Sequence, residues 1–239
     1  MGGDHGSFPP TSWSLILGIR DSSTASRQQA MESLCRRYWK PVYCFVRRAW
    51  AKNTDDAKDL TQAFFLQLLE GHALQRYQPG KGGFRTYLKV LLRGFSADQH
   101  DALQALKRGG GARRLALDDG EHPLTEVLQD DRAEDPERLF DLAWKKQVLE
   151  RAIDRTRTWF ASSGRARQFE AFESYDLSEG AERPTYAAVA ARLGMSESDV
   201  RNHLFSVRER LRAEIRAELS QTVSDMGQLE EEWAVLFGK

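Results

Sequence analysis

Residues 185–219 constrain the fold more than any other stretch of the chain. Thr185-Tyr186-Ala187-Ala188-Val189-Ala190-Ala191-Arg192-Leu193 reads as a short helix with Val189, Ala190 and Leu193 inward. Gly194 follows where a tight turn needs a left-handed residue, and Ser196 stands three residues before Asp199, the spacing of a capping box. Val200, Leu204, Val207, Leu211, Ile215 and Leu219 then recur at spacings of three and four, the buried stripe of a second helix. The small residues of the first helix let the second cross it closely, so the pattern predicts a helix-turn-helix. An ordinary hairpin with a solvated basic face would not require turn, cap and periodicity to agree.

The outer face of that second helix carries Ser198, Arg201, Asn202, Phe205 and Arg208, with His203 nearby. Arginine and asparagine can read guanine and adenine edges bidentately, and arginine also grips phosphate. The expected partner is therefore duplex DNA. A net charge of zero over 239 residues argues against this at first, but the charge is segregated. Residues 81–114 hold eight basic against two acidic side chains. Lys81, Arg85, Lys89 and Arg93 lie there with Tyr87 and Phe95 interleaved, a combination suited to phosphate contact and base stacking. Residues 117–138 reverse the balance, nine acids against two bases, and read as a flexible acidic linker.

Helical periodicity governs the rest, with no convincing strand. A helix over 27–50 carries Met31, Leu34, Cys35, Tyr38, Val42 and Phe45 as its stripe, and Pro41 predicts a kink or break just before it. Further helices are expected over 55–70, 84–106, 139–172 and 221–237, with loops at 78–83 and 174–184. The fold class is all-α, as two helical domains joined by an acidic linker. The expected boundaries are an N-terminal extension 1–26, a helical domain 27–114, the linker 115–138, a helix-turn-helix domain 139–220 and a C-terminal extension 221–239.

Other chemistry finds little support. Cys35 and Cys44 lie nine residues apart on one helix, about 180° around it, so they read as unpaired buried thiols suited to the cytosol. The five histidines have no partner at metal-ligand spacing, and no metal site or cofactor is assigned. Gly80-Lys81-Gly82-Gly83 lacks the spacing of a phosphate-binding P-loop, and no serine elbow or carboxylate dyad appears, so no enzyme is expected. No run approaches the roughly 20 apolar residues of a membrane span, and residues 1–10 lack a secretory pattern, which places the chain in the cytoplasm without membrane contact.

In order and spacing, three further strings join the helix-turn-helix. They are Leu34-Cys35-Arg36-Arg37-Tyr38-Trp39-Lys40-Pro41-Val42-Tyr43-Cys44-Phe45, Asp56-Ala57-Lys58-Asp59-Leu60-Thr61-Gln62-Ala63-Phe64-Phe65, and Phe84-Arg85-Thr86-Tyr87-Leu88 through Asp98. Together they resemble the extracytoplasmic-function group of bacterial RNA polymerase sigma factors, over residues 27–108 and 140–220. The resemblance implies a promoter-melting N-terminal domain and a C-terminal domain reading the upstream promoter element, with core RNA polymerase and promoter DNA as partners. It implies that Asp55, Asp56, Asp59, Gln62 and Phe65 meet the polymerase. Lys81, Arg85, Tyr87, Lys89, Arg93 and Asp98 would line the edge of the transcription bubble, and the acidic linker would occupy a basic polymerase channel. Lys58 departs from the family's more acidic docking helix, and Arg93-Gly94 from its arginine-asparagine pair. Subgroups with that acidic deficit are switched on by threonine phosphorylation, which implies Thr61, with Thr54 as second candidate, as the acceptor of a serine/threonine kinase; an anti-sigma factor is the other regulator implied. Trp13 and Trp233, in the terminal extensions, are expected to pack onto the domains or act as a regulatory clamp. The rival reading is a dimeric operator-binding repressor, which leaves the basic N-terminal region unexplained.

Overall fold

A computed structural model describes residues 24–50, 53–106, 135–178 and 182–238, with the backbone alone at 24–27 and 96–106. The expectations for Trp13, for the basic side chains of Lys107 to Arg114, for the Asp98 side chain and for linker residues 115–134 lie outside the described residues. Every regular element among the described residues is helical. None of these helices is long and apolar enough to cross a membrane.

The chain divides into two compact units, one formed by Met1–Lys146 with Ser220–Lys239 and the other by Gln147–Leu219. The sequence reading sets residues 221–239 apart as an extension, whereas the contacts group them with the first unit. In that unit α1 (Thr24–Ala49) runs unbroken through Pro41. Pro41 cannot donate a backbone hydrogen bond, but Tyr38, Val42, Tyr43, Cys44, Phe45 and Val46 are all buried around it, and that packing holds the helix together. Of the expected kink or break, the break is absent. Cys44 is buried and Cys35 half-buried, both as free thiols, and burial pushes the Cys44 thiol up to about 11.

Helix α2 (Thr54–Glu70) starts one residue earlier than the sequence suggests, because the Asn53 side chain accepts from the Asp56 amide and caps it. A single turn, α3 (Ala73–Arg76), and a 3-10 turn at Pro79–Lys81 lead into α4 (Phe84–Leu106). Helix α5 (Pro136–Ser162) gives its residues up to Lys146 to this unit. Its start places residues 136–138, read as the end of the linker, in helix. An aromatic cluster forms the core: Tyr38 stacks on Trp144 at 4.9 Å and meets Phe84 edge-on at 5.4 Å, while Phe64 meets Phe95 at 5.5 Å.

The C-terminal helix, α9 (Met226–Phe237), closes the same unit. Before it, the Phe84 amide donates to the Thr222 carbonyl at 3.3 Å and Arg37 donates to Gln221 at 2.6 Å. The Gln228 side chain donates through Nε2 to the Pro79 carbonyl at 2.7 Å.

The second unit holds the remainder of α5, then α6 (Ala166–Asp176), α7 (Tyr186–Leu193) and α8 (Glu197–Ser220), of which Ser220 falls to the first unit. The single helix expected over 139–172 is interrupted after Ser162, where Gly164 takes φ +69°. Phe160, Phe169, Phe172, Val189, Ala190, Val200, Leu204 and Val207 form the core. Arg155 reaches Glu214 at 2.9 Å and Glu218 at 2.8 Å, tying α5 to α8 beside that core. Back in the first unit, α9 (Met226–Phe237) begins at Asp225, whose carboxylate accepts from the Gln228 amide. The helix expected from residue 221 thus starts five residues later, after a short turn.

Candidate nucleic-acid interface

In the second unit, α7 and α8 are joined by Gly194-Met195-Ser196 alone. The Thr185 hydroxyl accepts from the Ala188 amide and caps α7. Gly194 ends that helix in the left-handed region at φ +60°, ψ +49°, and the Met195 amide also closes on the Ala190 carbonyl at 3.1 Å. At the start of α8 the capping box forms in full. The Asp199 amide donates to Ser196 Oγ at 3.1 Å, and the Ser196 amide donates to the Asp199 carboxylate at 3.2 Å. The Ser196 hydroxyl donates to the same carboxylate at 2.7 Å, and these bonds hold Asp199 below its usual pKa.

Val200, Leu204 and Val207 are buried, which turns Ser198, Arg201, Asn202 and Phe205 outward. Phe205 is 68% exposed, unusual for a side chain of that size. His203 is half-buried beside them. Arg208 is placed differently from the sequence reading. Asp176 of α6 accepts from it in a bidentate pair at 2.9 and 3.0 Å, and its guanidinium lies 5.8 Å from the Tyr175 ring. It is a bound residue at the edge of the face rather than a free reader.

A group the sequence reading omitted surrounds it. Asp176 also pairs with Arg183, whose guanidinium lies 4.4 Å over Tyr175. Tyr175 stacks on Tyr186 at 4.7 Å, and Arg201 stands 5.6 Å over the Tyr186 ring. A hydrogen bond between the two phenols raises the pKa of Tyr175 and lowers that of Tyr186. The signal for this cluster was present as Tyr175, Arg183 and Tyr186 flanking the loop, but only tertiary packing brings them together.

In the first unit a cleft of about 220 Å³ opens between the α3–α4 connection and α4. Arg76, Tyr77, Lys81, Tyr87 and Val90 line it. Of the residues expected at a bubble edge, Lys81 and Tyr87 are here; Arg76 and Tyr77 were not anticipated. The Tyr77 hydroxyl donates to the Gly82 carbonyl at 3.0 Å and the Tyr87 hydroxyl to the Ala73 carbonyl at 2.6 Å, fixing the two rings 5.1 Å apart.

Arg85, Lys89 and Arg93 are elsewhere on α4; Arg85 and Lys89 are covered, and Arg93 is exposed but paired. Arg85 is 3% exposed and pairs with Glu232 at 2.7 Å and with Asp141. Lys89 lies 3.1 Å from Asp141 and 3.8 Å from Glu137, and Arg93 lies 2.5 Å from Glu137. All three are expected at a bubble edge; Glu137, Asp141 and Glu232 pair with them, burying Arg85 and Lys89 and leaving Arg93 at the surface. Charge counting within 81–114 could not see partners that lie far along the chain.

On α2, Asp55 and Asp59 are exposed, and Asp56 and Gln62 are half-buried. Phe65, which the helical period turns inward and the resemblance places at the polymerase, is buried, stacked on Trp39 at 5.7 Å and edge-on to Phe64. Thr61 likewise offers no accessible hydroxyl, being 0% exposed and donating to the Ala57 carbonyl at 2.7 Å. Thr54 is exposed at the helix start and hydrogen-bonds the Tyr43 phenol. Trp233 packs against Phe237 at 5.0 Å within α9. No family of known proteins matches the chain, and neither a characterised protein nor a solved structure does.

Proposed function

We propose that the protein is an alternative sigma factor that binds core RNA polymerase and directs initiation at chosen promoters. The observation that carries this reading is the α7–turn–α8 pair, which we read as a helix-turn-helix and whose second helix leaves Arg201, Asn202 and Phe205 exposed along one face. Such a helix fits the major groove of duplex DNA, where Arg201 and Asn202 meet base edges and Phe205 offers apolar contact to a thymine methyl. Arg183, beside α7, supplies a cation for phosphate.

The first unit supports the second half of the reading. A melted strand needs cations and aromatic faces, and the cleft of Arg76, Tyr77, Lys81 and Tyr87 provides both. The exposed acids Asp55 and Asp59 on α2 suit a basic surface on the polymerase. A repressor reading uses α8 alone and leaves that cleft without a role.

The reading is tested by mixing the full chain with purified core polymerase and a pool of promoter duplexes. A stable ternary complex on few duplexes, lost with Arg201→Ala and Asn202→Ala, is expected. Equal duplex binding with and without polymerase, by a dimer, favours the repressor.

A further inference from the structure

Arg85, Lys89 and Arg93 recur every fourth residue on α4, so they form one stripe with a rise of about 6 Å between successive cations. Glu137 and Asp141 share that spacing on α5, and the pairs run in opposite chain directions. Arg85 meets Asp141, Lys89 meets Asp141 and Glu137, and Arg93 meets Glu137. Glu232 of α9 completes the set at Arg85. Three cations thus meet three carboxylates.

Exposure is graded along the stripe. The side chain of Arg85 is 4% exposed, that of Lys89 12% and that of Arg93 58%. At one end, removing a partner strands a buried charge. At the other, the Arg93–Glu137 pair is a surface ion pair, weak and easily exchanged for another anion. A stripe held firmly at one end and loosely at the other opens from Arg93 inward.

We infer that Glu137 and Asp141 stand in for nucleic-acid phosphates on the α4 stripe, so that the free protein holds it closed until a single strand displaces the start of α5. This rests on the reading that the first unit handles melted DNA. Glu232 anchors Arg85 and stays in place while the outer pairs exchange. Closure keeps the three cations of the α4 stripe from binding any single strand they meet, because such binding is governed by charge and not by sequence.

The test uses the full chain and a fluorescein-labelled single-stranded DNA of mixed sequence, with anisotropy read across a salt series. Glu137→Gln frees Arg93, and its binding becomes severalfold tighter than wild type, with a slope of log K against log salt steeper by about 0.7. Adding Arg93→Gln to that variant removes the gain. In the wild type, hydrogen exchange over the first turns of α5 speeds up when the strand is added. The inference is overturned if Glu137→Gln keeps the wild-type affinity and slope, or if exchange at the start of α5 does not change. If the protein also fails to form the polymerase complex on promoter duplexes, the sigma reading falls as well; an intact complex isolates the failure to the closed stripe.

Discussion

Arg85 and Glu232 lie 147 residues apart in the sequence and form a buried ion pair at 2.7 Å. This contact joins the C-terminal helix to the first unit and makes the end of the chain part of its opening fold. Two charges leave water at this point, and each is tolerable only because the other is present.

Breaking the pair from one side is therefore costly. Glu232→Leu leaves the Arg85 guanidinium with Asp141 alone and is expected to lower stability by about 3 kcal/mol. Arg85→Met with Glu232→Leu restores most of it, since the apolar replacements carry no charge to desolvate. Urea unfolding of the three proteins reads the difference, and a single variant as stable as the wild type would contradict the account.

The α7–α8 turn depends on conformation at one position. Gly194 has φ +60° with open space around its missing Cβ, so Gly194→Ala is opposed by backbone strain and not by a clash. A loss of about 1–2 kcal/mol is expected. Gly194→Asn should lose less, because asparagine tolerates this region better.

Ser196 and Asp199 cap α8 reciprocally. Ser196→Ala is expected to cost about 1 kcal/mol in thermal unfolding. The hydrogen bonds from Ser196 hold the Asp199 carboxyl below its usual pKa. The stabilisation is present above the unfolded carboxylate range near 3.8 and is lost as pH falls through the lower folded value. Asp199→Asn should flatten the acid limb of the stability curve in that window.

Thr61 is fully buried and its hydroxyl is occupied by the Ala57 carbonyl. Thr61→Val should therefore change stability by only about 1 kcal/mol. Thr61→Glu buries a carboxylate without a partner and should destabilise far more. A kinase acting on the folded chain meets Thr54, which is exposed, before Thr61. Phosphate mapping by mass spectrometry on folded protein should find Thr54 first, and rapid modification of Thr61 would contradict the packing described.

What the sequence discloses is what neighbouring residues decide. The Ser196–Asp199 box, the left-handed Gly194 and the stripe of Val200, Leu204 and Val207 are set within a few residues, so spacing alone reveals them. Arg85 is hidden from the sequence for the opposite reason. Arg85 looks like one more cation on a basic helix until Glu232 arrives from the far end of the chain. Phe65 lies inward against Trp39, as the helical period of 55–70 has it, and not at the polymerase-facing position that the resemblance implies. Arg208 shares the fate of Arg85, held by Asp176 from the end of α6, 32 residues away. Pro41 shows tertiary packing overriding a local rule, with buried neighbours outweighing a missing hydrogen bond.

Run-off transcription with purified core polymerase on a pool of genomic promoters tests the central claim most directly. The account predicts transcripts with defined starts from a few promoters, lost when Arg201 and Asn202 are changed to alanine. No transcript from any promoter, alongside tight binding of a dimer to duplex DNA without polymerase, would contradict it.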